Sequence, residues 1–395
     1  MSARRGTSLL AASVVVAAWL LGSTALAVVG IGLVAAFGAA RLWARLVAGE
    51  LTAERHALDA APVEGEALRL AVELRGRRWL ASQVTWRDRV GALGEHAVPF
   101  DRRGRARLVL DRVPRGRYRL GPGQVTASDP LGLTRVEIAV EDEATVLVRP
   151  QVPELHTLFT DSGAWGEGGR KAVLRRPSGL EPHGVREYME GEPLRAVHWP
   201  TSARRGELMV RELEDAPRDS VAILLDVEAS AVAGPPGDSS LDESVRIAAG
   251  LLRAHAVRSR RAMLVIGGAE PQVHRIRALG HDWEAVLDAL AAAEPSRSTP
   301  LQQLMASRGV LAHVPELVVV TCRPETVADA LVARTAVGRW SALVAIDAPT
   351  YAGRGPSAPS PTLLRLAGAG VPLAVVRHGL PLAEALGSIR VQAVG

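Results

Sequence analysis

Three stretches of the chain carry residue types that could do chemistry. Asp226-Val227-Glu228-Ala229-Ser230 follows a continuous apolar run from Val221 to Leu225. It places oxygen donors at alternate positions of one loop, which suits an octahedral hard cation, with a carboxylate nucleophile at Asp226 as the less favoured alternative. Ser202 has His198 four residues before it, but no third group is evident to orient the histidine, so an activated serine is not expected. Lys171 is the single lysine among 47 basic residues, and its neighbours Arg170 and Ala172 do not make a phosphate-binding P-loop. The chain is therefore not expected to hydrolyse ATP itself. The lone cysteine, Cys322, excludes an intrachain disulfide and a cysteine-rich zinc site.

The elements that must position Asp226 follow from periodicity. Short all-apolar runs at Val221 to Leu225, Ala262 to Ile266, Leu317 to Val320, Ala342 to Ile346 and Leu373 to Val376 alternate with helical patterns. Those helices are expected at Ser244 to Val257, Trp283 to Ala292, Glu325 to Val337 and Pro361 to Ala369. Apolar strands alternating with helices predict an α/β domain over residues 216–395, a mostly parallel, doubly wound, Rossmann-like sheet covered on both faces. Ligands of such sheets bind outside the carboxyl ends of the strands, where Asp226, Gly267 and Thr321 should lie. No G-x-G-x-x-G follows the first strand, which excludes a dinucleotide site.

The D-V-E-A-S loop resembles the D-x-S-x-S loop of von Willebrand factor A domains. That resemblance implies a Mg²⁺ site built from Asp226, Glu228 and Ser230, with Thr299 as the threonine from a later loop. Glu228 replaces the first serine, and Thr321-Cys322 stands where a second acidic residue is wanted, so a metal-free remnant of the fold is the favoured reading. No other cofactor is expected. The same five residues also resemble the D-x-D-x-[TS] nucleophile loop of haloacid-dehalogenase-like phosphatases, although no lysine follows position 171 to hold a phosphoryl group.

The most specific stretch lies upstream, from Gly184 to Glu212. It contains Arg186, Tyr188, Gly191, Glu192, Arg195, Trp199, Ser202, Ala203, Arg204, Arg211 and Glu212 in the pattern R-x-Y-x-x-G-[DE], R-x-[IV]-x-W-x-x-S-A-R, V-[RK]-E. On these residues, and on Asp129-Pro130-Leu131-Gly132-Leu133 and Val148-Arg149-Pro150 before them, the chain resembles the domain of unknown function 58 family. The resemblance implies a MoxR-type AAA+ ATPase as partner, and also a transglutaminase-like membrane protein. Read as residues, the block is a polar lock or a docking segment rather than an active site, since arginine, tyrosine and tryptophan supply charge-assisted hydrogen bonds and cation-π contacts. It is expected in a linker over 151–215.

Residues 50–150 alternate polar and apolar side chains, as in Leu68, Leu70, Val72 and Leu74, with turn signals at Arg103-Gly104 and Gly121-Pro122-Gly123. This predicts a small antiparallel β-sandwich or barrel. The 35 residues from Gly6 to Ala40 carry no charge. They predict a transmembrane helical hairpin within 1–49, with spans at about 9–21 and 25–40 broken at Gly22-Ser23-Thr24. Arg4 and Arg5 before it, and Arg41 and Arg45 after it, with Trp43 at the interface, place both ends in the cytoplasm. A cleaved signal at Ala25-Leu26-Ala27, or a single anchor, is the competing reading. Beyond residue 50 there are 43 basic and 41 acidic residues, a balance that argues against nucleic acid as a partner. The function expected is that of a non-enzymatic, membrane-anchored adaptor or assembly protein, with a phosphatase using Asp226 or a metal-dependent A-domain as alternatives.

Overall fold

The computed structural model describes residues 13–14, 16–17, 19–48, 51–58, 61–76, 83–129, 131–140, 144–155, 184–187, 197–212, 221–257, 261–276, 280–297, 301–306, 310–312, 314–358 and 360–387. The chain divides into two compact units, Met1–Arg149 and Pro150–Gly395.

The first unit opens on α1 (Thr24–Ala48), and Thr24–Val47 is long and apolar enough to cross a membrane, with a mean hydropathy of 2.0. Residues 13, 14, 16, 17, 19 and 20 are helical as well, and Gly22, in the left-handed region at φ 59°, breaks the chain where a turn is expected. The expected end at Ala40 is overrun by two turns. The physical reason is tertiary: Val47 is buried in an apolar cluster with Leu51, Ala53, Val72, Leu74 and Trp86, and Trp43, expected at a membrane interface, packs against that cluster.

The strands that follow are β1 (Thr52–Ala57), β2 (Leu68–Arg75), β3 (Gln83–Arg89), β4 (Glu95–Pro99), β5 (Arg105–Leu110), β6 (Gly116–Leu120), β7 (Gly123–Ser128), β8 (Arg135–Val140) and β9 (Ala144–Val148). They form antiparallel sheets ordered β1-β2-β5, β4-β3-β7-β8 and β6-β9. The period of two is obeyed: Leu68, Leu70 and Val72 are buried while Arg69 points to solvent. Two of the sheets are tied by a buried ion pair. Arg55 of β1 donates from Nη1 to both carboxylate oxygens of Asp88 of β3 at 2.8 and 2.9 Å, and Trp86 Nε1 donates to the same carboxylate at 3.3 Å. Asp129 is used locally, its carboxylate accepting the backbone N–H of Leu131 and Thr134 to close the β7–β8 hairpin.

In the second unit β10 (Gly184–Glu187) pairs antiparallel with β11 (Met209–Glu212), and α2 (Trp199–Arg205) lies between them in the chain. A six-stranded sheet then follows from β12 (Val221–Leu225), β13 (Ala262–Ile266), β14 (Gln272–Ile276), β15 (Glu316–Thr321), β16 (Trp340–Ile346) and β17 (Leu373–Val376). Its order is β14-β13-β12-β15-β16-β17, parallel except for the edge strand β14. The helices are α3 (Ser240–Val257), α4 (His281–Ala291), α5 (Leu301–Met305), α6 (Pro324–Ala336), α7 (Ala348–Tyr351), α8 (Pro361–Gly368) and α9 (Leu382–Gly387).

Both faces of the sheet are covered. Val221, Ile223 and Leu225 pack on Val245 and Leu252 of α3 and Leu290 of α4, while Ala222 and Leu224 pack with Leu304 of α5, Leu331 of α6 and Leu366 of α8. Helix α3 begins four residues before its expected start because Ser239 and Asp242 cap it reciprocally, Asp242 N donating to Ser239 Oγ at 3.2 Å and Ser239 N to Asp242 Oδ2 at 3.1 Å. Strand β14 was not among the expected apolar runs. It is an edge strand paired only with β13, and with Gln272, His274 and Arg275 among its five residues it forms no apolar run.

Candidate functional site

Chain order reverses across the sheet between β12 and β15: the path runs from β12 outward to β14, then returns to β15 on the other side of β12. In sheets of this kind the carboxyl ends of the two strands at the switch point are where a ligand is expected to bind. Asp226 stands there, one residue beyond β12, with its side chain 2% exposed. Thr321 ends β15, and Gly267 follows β13 with its N–H donating to Leu225 O at 2.8 Å.

The Asp226 carboxylate is saturated from within the chain. Thr321 Oγ1 donates to Oδ2 at 2.6 Å, Arg323 Nε to Oδ2 at 3.2 Å, Arg323 Nη2 to Oδ1 at 3.0 Å, and the backbone N–H of Glu228 to Oδ1 at 3.1 Å. Arg323 Nη1 also lies 3.7 Å from Glu228 Oε2. The two-pronged guanidinium sits on both oxygens, the geometry in which arginine binds carboxylate most strongly. Burial works against the Arg323 charge, but the hydrogen bond and charge of Asp226, with Glu228 and Glu325, hold its pKa above the ordinary value.

The residues expected to hold Mg²⁺ do not fit that ion. The guanidinium occupies the lone pairs a cation would need, and Ser230 Oγ donates to Glu228 Oε1 at 3.3 Å instead of standing free beside Asp226. Thr299 lies outside the described residues; the neighbouring segment runs beside the loop, with Ser296 N donating to Val227 O at 2.8 Å and Ala229 N to Ser296 O at 2.9 Å. Among the described residues no group of three or more histidine, cysteine, aspartate or glutamate side chains converges as a metal site. As a nucleophile Asp226 is poorly placed as well, since both of its oxygens are already engaged by donors from Thr321, Arg323 and Glu228. Burial pushes the neighbouring Cys322 thiol up to about 11, with the Asp226 charge acting in the same direction.

Sequence reasoning missed Arg323. It also missed a second pair of the same kind at the next strand ends: Asp347, just after β16, accepts from Ser357 Oγ at 2.6 Å and from Arg377 Nε, just after β17, at 3.3 Å. Each aspartate follows one strand and its arginine follows the neighbouring strand. That recurrence is invisible without the strand order, because arginine is common throughout the chain.

The upstream motif is divided by its geometry into a lock and an exposed aromatic. Ser202 is buried: its Oγ accepts Met209 N at 2.8 Å and donates to His198 O at 3.1 Å, while His198 N donates to Met209 O at 2.7 Å. His198 Nδ1 lies 2.7 Å from Thr201 Oγ1 and caps α2, so it is turned to Thr201 rather than to Ser202 Oγ. Gly206, at φ 77°, ends the helix and accepts a conformation that side chains resist. Trp199, in contrast, is 61% exposed, and Arg204 is exposed in the last turn. Arg186, Arg211 and Glu212 belong to the β10–β11 hairpin, with Arg186 opposite Val210, Val185 opposite Arg211 and Gly184 opposite Glu212. Tyr188, Gly191, Glu192 and Arg195 lie outside the described residues.

Comparison with known proteins places this region. The family described as "Protein of unknown function DUF58" matches residues 184–319, from the β10–β11 hairpin into β15. The chain is also 27% identical over 201 residues to the "Uncharacterized protein YeaD" of Bacillus subtilis (strain 168), a match covering 49% of this chain and 47% of that protein. The chain thus spans about half the length of the curated relative it matches. Among solved structures, the PKD domain of human SorCS2 matches 26% of this chain and 76% of its own at 15% identity, with a TM-score of 0.19, too low to bear on the fold.

Proposed function

We propose that this chain is a non-enzymatic adaptor or assembly protein anchored in the cell membrane. In this reading the second unit is a Rossmann-like domain of the von Willebrand factor A type, and the segment from Arg186 to Glu212 docks a MoxR-type AAA+ ATPase. A transglutaminase-like membrane protein is the second partner. The observation that carries the reading is Trp199: the polar residues around it are spent on an internal lock, yet this large aromatic side chain is left 61% exposed. An exposed tryptophan on a helix that ends in Arg204 and Arg205 has the composition of interface hot spots. The fold reading is supported by the order of the sheet, with the chain stepping outward from β12 to one edge and then to the other.

The non-enzymatic part rests on Asp226, whose oxygens are held by Thr321 and Arg323. This removes the support that the phosphatase and metal-dependent readings drew from the D-V-E-A-S loop. The anchor is α1 together with the helical residues before Gly22, a two-span hairpin that keeps both soluble units in the cytoplasm.

The test is affinity capture of the tagged full-length protein from membranes. An AAA+ ATPase is expected to co-purify with the wild type and to be lost with Trp199→Ala, while the melting temperature of the variant is unchanged because Trp199 is exposed. Failure of any ATPase to co-purify with the wild type overturns the partner. A phosphatase activity that disappears in Asp226→Asn overturns the non-enzymatic reading.

A further inference from the structure

The end of α1 belongs at once to an apolar span and to the core of the first unit, and this leaves no room for a spacer. Thr24–Val47 comprises 24 residues. At ~1.5 Å per residue these rise about 36 Å, against ~30 Å of bilayer hydrocarbon, so about 6 Å of helix remains beyond the apolar layer. The headgroup region on one side of a bilayer is itself about 5 to 7 Å deep. Val47 is a core residue of the β unit, buried among Leu51, Ala53 and Trp86, and Trp43 packs against the same cluster. A helix that tilts rises less along the membrane normal, which draws Val47 closer to the hydrocarbon.

The side of these last turns that faces away from the core has the matching chemistry. Arg41, Leu42, Arg45 and Leu46 are all exposed, Leu42 by 60% and Leu46 by 49%. Leu42 and Leu46 are four residues apart and share a face, with the arginines beside them. Exposed leucines next to arginines suit the boundary between acyl chains and anionic headgroups, where the aliphatic side chain is buried and the guanidinium reaches phosphate.

From these relations, and resting on the membrane-anchored reading, we infer that the first unit is an interfacial domain: the Arg41, Leu42, Arg45 and Leu46 face of α1 is immersed in the phospholipid headgroup layer, holding the β sheets flush against the bilayer. The β unit is then a fixed platform at the membrane surface instead of a domain on a flexible stalk.

The full-length protein in vesicles containing anionic phospholipid tests this. In a Cys322→Ser background, an environment-sensitive fluorophore is attached at Leu46→Cys, or at Leu42→Cys should the first variant fold poorly, and at Ile31→Cys. Quenching is then read with lipids brominated near the carbonyl end or deep in the chain. The expected result is shallow-bromine quenching with a blue-shifted emission at position 46 or 42, and deep-bromine quenching at 31. A label at 31 quenched by deep bromines, with one at 46 left water-like and unquenched, overturns the interfacial placement alone. Absence of quenching at both positions overturns the anchored reading and this inference with it.

Discussion

Arg323 lays Nε and Nη2 on the two carboxylate oxygens of Asp226, at 3.2 and 3.0 Å, across 97 residues of sequence. The pair bridges the loop after β12 to the turn after β15, at the strand ends where sheets of this kind receive a ligand. Thr321 supports it twice, donating its hydroxyl to Asp226 and accepting Arg323 N at 2.9 Å.

If this pair is a structural latch, Arg323→Ala strands a buried carboxylate with only Thr321 and the Glu228 N–H. A loss of ~3 kcal/mol is expected in urea denaturation, with part of it regained in Asp226→Asn/Arg323→Ala, because the uncompensated charge is then absent. Unchanged stability in the single variant would show that the latch does not contribute to the fold.

Cys322, between Thr321 and Arg323, has its thiol pushed up to about 11 by burial. Alkylation of the native protein should therefore be slow at neutral and mildly alkaline pH, and accelerate only as the pH approaches that value. Rapid labelling at pH 8 of protein that remains folded would contradict the buried environment.

His274, on β14, has its imidazole pKa held below the ordinary 6.5 by burial. The folded state thus binds its proton less readily than the unfolded chain, and stability is full above about pH 6.5 and falls as the pH drops below it. His274→Leu should flatten the slope of stability between pH 7 and pH 5 relative to wild type. An identical slope in the two proteins would remove His274 from the account.

A Cβ at Gly123 would lie 1.8 Å from Cη2 and 2.1 Å from Cζ2 of the buried Trp86 ring. Gly123→Ala is expected to destabilise the protein by about 3 kcal/mol through overpacking. Trp86→Phe in the same chain should relieve part of that loss, since the clashing atoms are gone. Additive effects of the two substitutions would mean that the ring and the glycine are not in contact.

Much of the fold was legible because strands and helices report their own burial locally. The apolar runs at 221–225 and 262–266 coincide with β12 and β13, since strands covered on both faces must be apolar throughout, and the run at 373–376 coincides with β17. Strand β14 escaped because three of its five residues, Gln272, His274 and Arg275, are polar and leave no apolar run to read. Residue 40 was a poor place to end α1 because a charge at Arg41 stops a membrane span but not a helix, and the core formed with Val47 carries the helix on to Ala48.

By itself the sequence determined that an apolar helix precedes a strand-rich unit and an alternating α/β unit, and that Asp226 follows directly on a strand. Periodicity and charge act over a few residues and need no knowledge of the fold. Only the tertiary structure decided what Asp226 is for. Its partner is chosen by strand order, which brings the end of β15 beside the end of β12, and a carboxylate that meets a guanidinium there has its charge neutralised within the chain. In the same way, only packing decided that Ser202 turns inward to Met209 while Trp199, three residues before it, faces solvent.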